Sequence, residues 1–349
     1  MHFAFTDQQT EFRDAVRQVL AKECTTDDLR SAYAAPAARS ARWATLAELG
    51  VIGLSTPPGL GGLGLGLVDL VPLLEEMGRV ALPEPVLETT ALAAPLLAGL
   101  LDGSEAAAAS VVPWLEAIAG GAVTAAVGRA GVDGVPLAGA DGADLLVLTT
   151  AGDHPEVHIL GSDMATVTPV ASLDPTRRLG TVEWRPTPES RLASGRPAVT
   201  AIRQVADRAA VATAAELLGL TERMITMAAD YAKERHQFGK PIGGFQAVKH
   251  LLAGAQVKLE FARPVVYGAA WALDTGDPTA TRAASTAKAG ASDAATEAAR
   301  VALQVHGAIG YTWECDLHLF LKRAWALSEA WGSAADHRAS VLASLIAGD

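Results

Sequence analysis

Arg235, Phe238, Gly239 and Gln246 stand close together in the run YAKERHQFGKPIGGFQAVKH, from Tyr231 to His250. A guanidinium is a planar fork of N–H donors that matches phosphate oxygens in pairs. Gly239, Gly243 and Gly244 let backbone N–H groups come near an anion where the next helix begins. Together these residue types suit a dinucleotide, which needs donors for its pyrophosphate and a bed for its adenine. The plain alternative is a charged helix end beside an ordinary turn, since short motifs match by chance. A second run, QVHGAIGY, sets Gln304, Val305, His306 and Gly307 side by side. His306 also reads as a buried histidine satisfied by its surroundings. No second His, Cys or carboxylate falls at ligand spacing around it, so a metal is not expected.

The two runs resemble segments of the acyl-CoA dehydrogenase family. Its members carry R-x-x-F-G-x-x-x-x-x-F-Q between two long C-terminal helices, and a Q-x-x-G-G-x-G-Y segment that contacts the flavin. LAELGVIGLSTPPGLGGLGLGLVDLVPLLEEMGR, from Leu46 to Arg79, is similar to the family's N-terminal signature. The resemblance implies FAD as cofactor, an acyl-CoA thioester as substrate and an electron-transfer protein as acceptor. In the family, the Arg and the second segment reach across a dimer interface to FAD whose flavin ring sits mainly in the neighbouring subunit. Carried over, the cofactor contacts are Arg235, Gln237, Phe238 and Gln246 from the first run, and Gln304, Val305, His306 and Gly307 from the second. Ala308 replaces the usual second Gly and still leaves room for backbone contact.

Dehydrogenation of an acyl-CoA also needs a carboxylate to remove the α proton while flavin N5 accepts the β hydride. In the family's usual pattern that Glu precedes a Gly downstream of the second run. Here the matching stretch is LSEAWGSAADHR, where Gly332 falls on the Gly and Trp331 on the Glu. An indole cannot take up a proton at neutral pH. The family's second location, early in the first bundle helix, falls near Ala209. Among nearby carboxylates, Asp207 and Glu329 read best as solvated or paired helix charges. Glu216, in an Ala/Leu-rich setting, is the remaining candidate base. The segment T-E-P-x-x-G-S-D, which holds the flavin ring in related enzymes, has no counterpart in VGRAGVDGVPLAG, and Gly161-Ser162-Asp163 reads as a turn between strands. The resemblance is therefore to the shorter, degenerate subunit of bacterial α₂β₂ acyl-CoA dehydrogenases acting on steroid side-chain thioesters. A self-sufficient homo-oligomer with a relocated base, and a purely structural subunit, are the alternatives.

These groups need rigid elements to place them. Thr6 to Ala21 reads as a helix that Thr6 can cap, with Phe12, Val16, Val19 and Leu20 as its apolar stripe. Trp43 to Leu49 is helical and stops at Gly50. STPPGLGGLGLG must be a loop. Asp69 to Arg79, Glu88 to Leu101 and Glu105 to Ile118 continue a helical domain over residues 1–120. Residues 121–196 change texture, with strands expected at Val123 to Val127, Leu145 to Thr149, Val157 to Leu160, Thr166 to Pro169 and Gly180 to Trp184. Residues 197–349 return to helix: Ala206 to Lys233, Phe245 to Asp274, Pro278 to His306, Cys315 to Trp331 and Ala334 to Ala347. The expectation is a mainly α chain with a small middle β domain and a C-terminal four-helix bundle, the acyl-CoA dehydrogenase arrangement.

Bulk properties agree. The 349 residues suffice for several layers around a large core. A composition half hydrophobic but only 5% aromatic suits close-packed, alanine-rich helices. A formal charge of −11 with no basic cluster argues against nucleic acid. Cys24 and Cys315 lie far apart and fit a reducing compartment. No signal-peptide pattern or unbroken apolar run of spanning length is apparent, so the expectation is a cytoplasmic protein without a membrane span.

Overall fold

The computed structural model describes residues 4–37, 39–101, 105–129 and 135–347. The chain is mainly helical with a small sheet region in its middle third. Its helices are α1 (Asp7–Glu23), α2 (Thr26–Ala34), α3 (Ala41–Glu48), α4 (Leu67–Arg79), α5 (Ala94–Gly99) and α6 (Glu105–Ala119). Six strands follow: β1 (Ala125–Arg129), β2 (Leu145–Thr149), β3 (Glu156–Gly161), β4 (Thr166–Pro169), β5 (Gly180–Glu183) and β6 (Arg191–Ser194). Then come α7 (Gly195–Glu234), β7 (His236–Gln237), β8 (Lys240–Pro241), α8 (Gln246–Thr275), α9 (Ala280–His306), α10 (Leu317–Glu329) and α11 (Ala334–Ala347).

Packing divides the chain into two compact units. One holds the chain up to Leu29, Val71–Leu82 and everything from Ala210; the other holds Arg30–Leu70 and Pro83–Ala209. Helices α2, α4 and α7 contribute residues to both.

In the first unit, Thr6 caps α1 as expected, its hydroxyl accepting from Gln9 N while the Gln9 side chain accepts from Thr6 N. The buried side of α9 is mostly alanine, which lets α8, α10 and α11 approach it closely. The α4–α7 crossing rests on two glycines: a Cβ on Gly78 would collide with the Glu216 carbonyl, and one on Gly219 with the Glu75 carbonyl. Around that crossing, Arg263 bonds Glu75 at 2.9 Å and Glu222 at 3.0 Å. The Tyr267 hydroxyl donates to Glu75.

In the second unit, the four-stranded sheet runs in the order β1-β2-β3-β6, with β1 and β2 parallel and the other pairs antiparallel, while β4 and β5 form a separate hairpin. Leu146, Leu148 and Leu160 pack with Leu137 and Val182 as its core. Before α5, Leu87–Ala93 is a π-helical turn. It is fastened by side-chain bonds: Ala125 N donates to Thr89 Oγ1 at 3.0 Å, and Thr90 Oγ1 to the Ile52 carbonyl at 3.0 Å.

Two local expectations needed correction. Strand β6 (RLAS) has no β-branched or aromatic residue, so patterning gives no sign of it. Helix α7 begins at Gly195 rather than Ala206, because Pro197 sits in its first turn, where a missing N–H costs nothing. The Gly161-Ser162-Asp163 segment is a turn leading from β3 to β4, as read from sequence.

Candidate functional site: an open turn and a clamped turn

Helix α7 ends at Glu234 and the chain turns at once through the β7–β8 hairpin, pairing His236 with Pro241 and Gln237 with Lys240. Its two central residues, Phe238 (φ 51°) and Gly239 (φ 81°), both lie in the left-handed region, the signature of a type I′ turn. Glycine takes that conformation freely; a phenylalanine there costs about 1–2 kcal/mol. Phe238 is nevertheless 91% exposed, and an edge-to-face contact with the Phe245 ring, centres 6.2 Å apart, buries little of it against that strain. Strain of this kind at an exposed tip points to function rather than to folding.

The polar groups of this turn are equally open. Arg235, Gln237 and Gln246 are exposed, and the Arg235 side chain makes no ion pair with any described residue. The Arg235 backbone is fixed, its N–H donating to Tyr231 and its carbonyl accepting from Ile242 at 2.8 Å. A short 3₁₀ turn, Ile242–Gly244, leads into α8, whose N-cap Phe245 gives no side-chain cap. The first N–H groups of a 30-residue helix are thus uncapped, with no acidic side chain in the first turn. Uncapped N–H groups carry partial positive charge and suit an anion. Beside them, Lys240 Nζ lies 4.3 Å from the Phe245 ring centre.

The second run lies at the end of α9 and splits in two. Gln304 and Gly307 are exposed, whereas Val305 and His306 are buried. His306 Nδ1–H donates to the Ala302 carbonyl at 2.8 Å, and its ring stacks on Tyr231 with centres 4.5 Å apart. Burial pushes its pKa down, against a smaller upward pull from the Ala302 bond. Since Arg235 N bonds Tyr231 O, the stack ties the two runs together: His306 is a fastening between them, not an exposed donor. Gly307 (φ 66°) then turns the chain into a 3₁₀ segment that leaves Ile309 and Tyr311 exposed.

The turn after α10 is the opposite case. Trp331 also has positive φ (58°), and Gly332 follows at 105°. Here the Ser328, Trp331 and Gly332 carbonyls all have side-chain donors. Lys288, fully buried on α9, donates from Nζ to the Ser328 carbonyl (2.9 Å), the Gly332 carbonyl (3.0 Å) and Ser292 Oγ (3.1 Å). His337 Nε2–H donates to the Trp331 carbonyl at 3.1 Å, and its Nδ1 faces Ser285 Oγ at 3.2 Å. Burial lowers the His337 pKa, and the Lys288 charge lowers it further. Sequence reasoning missed Lys288, which lies in an Ala-Lys-Ala-Gly run that reads as small-residue packing.

The carboxylates weighed from sequence fall in different settings. Glu329 is exposed and Asp207 half-buried, while Ala209 is in the core. Glu216 is buried on α7, its backbone against Gly78. Among the described residues no group of three or more His, Cys, Asp or Glu is placed to hold a metal, and no helix is long and apolar enough to cross a membrane.

Comparisons with known proteins fit this geometry. The profile of the acyl-CoA dehydrogenase N-terminal domain matches residues 6–119, and that of the C-terminal domain residues 199–346. Acyl-CoA dehydrogenase IpdE2 of Mycobacterium tuberculosis (strain ATCC 25618 / H37Rv) is 35% identical over 320 residues, covering 91% of each chain. In fold, a chain of the ChsE4–ChsE5 complex from Mycobacterium tuberculosis superposes with a TM-score of 0.86 at 23% identity, covering 99% of both chains. A chain of the Tcur3481–Tcur3483 steroid ACAD gives 0.84 at 24% identity, covering 98% of both.

Proposed function

The chain belongs to the acyl-CoA dehydrogenase family, FAD-dependent oxidoreductases acting on the CH–CH group of acyl-CoA thioesters, and we propose that it works there as one subunit of a heteromeric enzyme. Its task is to grip the nucleotide part of FAD whose flavin ring is held mainly by a second acyl-CoA dehydrogenase-like subunit. The observation that carries this reading is the open turn: Arg235 exposed without an ion pair, beside the uncapped start of α8. Arg235 would donate in pairs to pyrophosphate oxygens, with the first N–H groups of α8 completing the anion site. Gln237, Gln246, Gln304 and the Gly307 backbone would supply the remaining polar contacts, and Phe238 a face for the adenine. Acceptance of the hydride that leaves the β carbon is the chemistry FAD would supply when bound.

Proton removal is assigned to the partner. The position of the family's usual Glu carries Trp331, which cannot act as a base, and its turn is closed by Lys288 and His337. A partner surface is at hand on this unit: Val257, Phe261 and Val265 form an exposed apolar line along α8, and Leu342, Leu345 and Ile346 another on α11. The mixed-subunit complexes among the fold relatives favour a hetero-oligomer, and the steroid ACAD favours a steroid side-chain thioester as substrate class. Reduced flavin would pass its electrons to an electron-transfer protein.

A second reading rests on the burial of Glu216, which as a relocated base would make the chain self-sufficient. Expression alone and together with candidate partner chains, followed by flavin quantitation and acyl-CoA turnover, separates the two. Activity only in the mixed complex supports the proposal. Activity of the lone chain that vanishes in Glu216→Gln supports the second reading.

A further inference from the structure

A cavity of about 450 Å³ lies within the first unit, away from both turns. Leu20, Leu29 and Phe320 make its apolar wall, all nearly fully buried. Three arginines reach it: Arg17, Arg79 and Arg223. Two of them are neutralised. Arg17 makes a two-point contact with Glu76 (2.9 and 2.5 Å), and Arg79 pairs with Glu222 at 2.5 Å while its Nε lies 3.4 Å from Glu76. Arg223 has no carboxylate within ion-pair distance among the described residues. Its guanidinium lies 5.3 Å from the Phe320 ring centre. Burial and the like charge of Arg79 both disfavour the Arg223 cation, more strongly than Asp316 and Asp230 favour it from a distance.

Arg223 is half-buried, holds no ion pair and stands beside another cation, a costly placement for a chain that gains only stability from it. The lining also holds Thr25, Thr26 and Glu76, the last already bonded to Arg17, so one wall is apolar and the other polar with Arg223 as its unpaired cation, the make-up of a small-ligand site. We infer that the cavity binds a small monocarboxylate with a short aliphatic chain, its head on Arg223 and its tail on Leu20, Leu29 and Phe320. The carboxylate would supply the missing negative charge, and Arg79, though already paired, would add attraction. The site is separate from the nucleotide grip and stands whether or not that reading holds.

Hexanoate is the probe, titrated into the full-length chain by calorimetry, with inorganic phosphate as a parallel arm and the melting temperature followed in both. Saturable hexanoate binding with a rise in melting temperature is expected, and phosphate should bind at least tenfold more weakly for want of a tail contact. Arg223→Met should weaken hexanoate at least tenfold, yet melt at or above the wild-type temperature without ligand, because an uncompensated charge is gone. Ala21→Trp, which narrows the mouth and leaves Arg223 in place, should also weaken binding. The inference is overturned if hexanoate does not saturate, or if Arg223→Met binds it as the wild type does. Phosphate matching hexanoate would likewise overturn the assignment of a tail.

Discussion

Two turns of the C-terminal helices, one after α7 and one after α10, use the same costly device and put it to opposite ends. Each holds a bulky aromatic residue at positive φ, Phe238 in one and Trp331 in the other. Around Phe238 the polar groups are exposed and Arg235 has no ion pair. Around Trp331 the carbonyls are taken by the buried ammonium of Lys288 and by His337. A turn with unspent donors is free to meet something else, whereas one whose carbonyls are held by buried side chains is fixed in place. In the proposed function the first turn is the cofactor grip and the second stands where the family's catalytic carboxylate is expected, so the base is given to a partner.

Lys288→Met should break the contrast most severely. It leaves a buried carbonyl, a partly buried one and a hydroxyl without their donor, at about 1–3 kcal/mol for each buried group, so a loss of about 3 kcal/mol is expected in urea denaturation. Arg235→Gln should do the reverse, leaving the urea midpoint in place. It removes charge-assisted bonds of about 1.5–3 kcal/mol, so flavin affinity of the mixed complex should drop roughly 10- to 100-fold. A midpoint shift in Arg235→Gln, or an unmoved one in Lys288→Met, would erase the distinction.

Acidification sharpens the contrast. His337 and His306 both have pKa values lowered by burial. The unfolded chain therefore takes up protons first as pH falls below the ordinary histidine value of about 6.5. Their contribution to stability is complete above that pH and is lost as pH falls from it toward the folded values. Denaturation midpoints across pH 7.5 to about 5 should show this decline, and His337→Gln should flatten part of it. The smallest effect is expected at the open turn. Phe238→Asn relieves the left-handed strain and should raise stability by about 0.5–1 kcal/mol, measured in the same denaturation series.

Much of this was legible in the sequence, for reasons particular residues make plain. Long apolar periodicity marks α8, α9 and α11 almost to the residue, and Thr6 announces the start of α1. The motif residues Arg235, Gln246 and Gln304 lie exposed. The rest depended on distant neighbours. QVHGAIGY leaves a buried and a ligand-facing His306 both open, and the choice is set by where α9 meets Tyr231. Lys288 looks like one surface lysine among alanines until the α10 end closes over it. Arg223 sits in an ordinary helix run, and its lack of a partner exists only once α1, α4 and α10 are assembled around it.

The central claim is that this chain holds a cofactor's nucleotide for a partner and leaves proton removal to that partner. Flavin content and acyl-CoA turnover, measured on the purified chain alone and on its complex with a second dehydrogenase-like chain, test it most directly. The account predicts bound FAD and turnover in the complex and neither in the lone chain. A lone chain that binds FAD stoichiometrically and oxidises an acyl-CoA would contradict it.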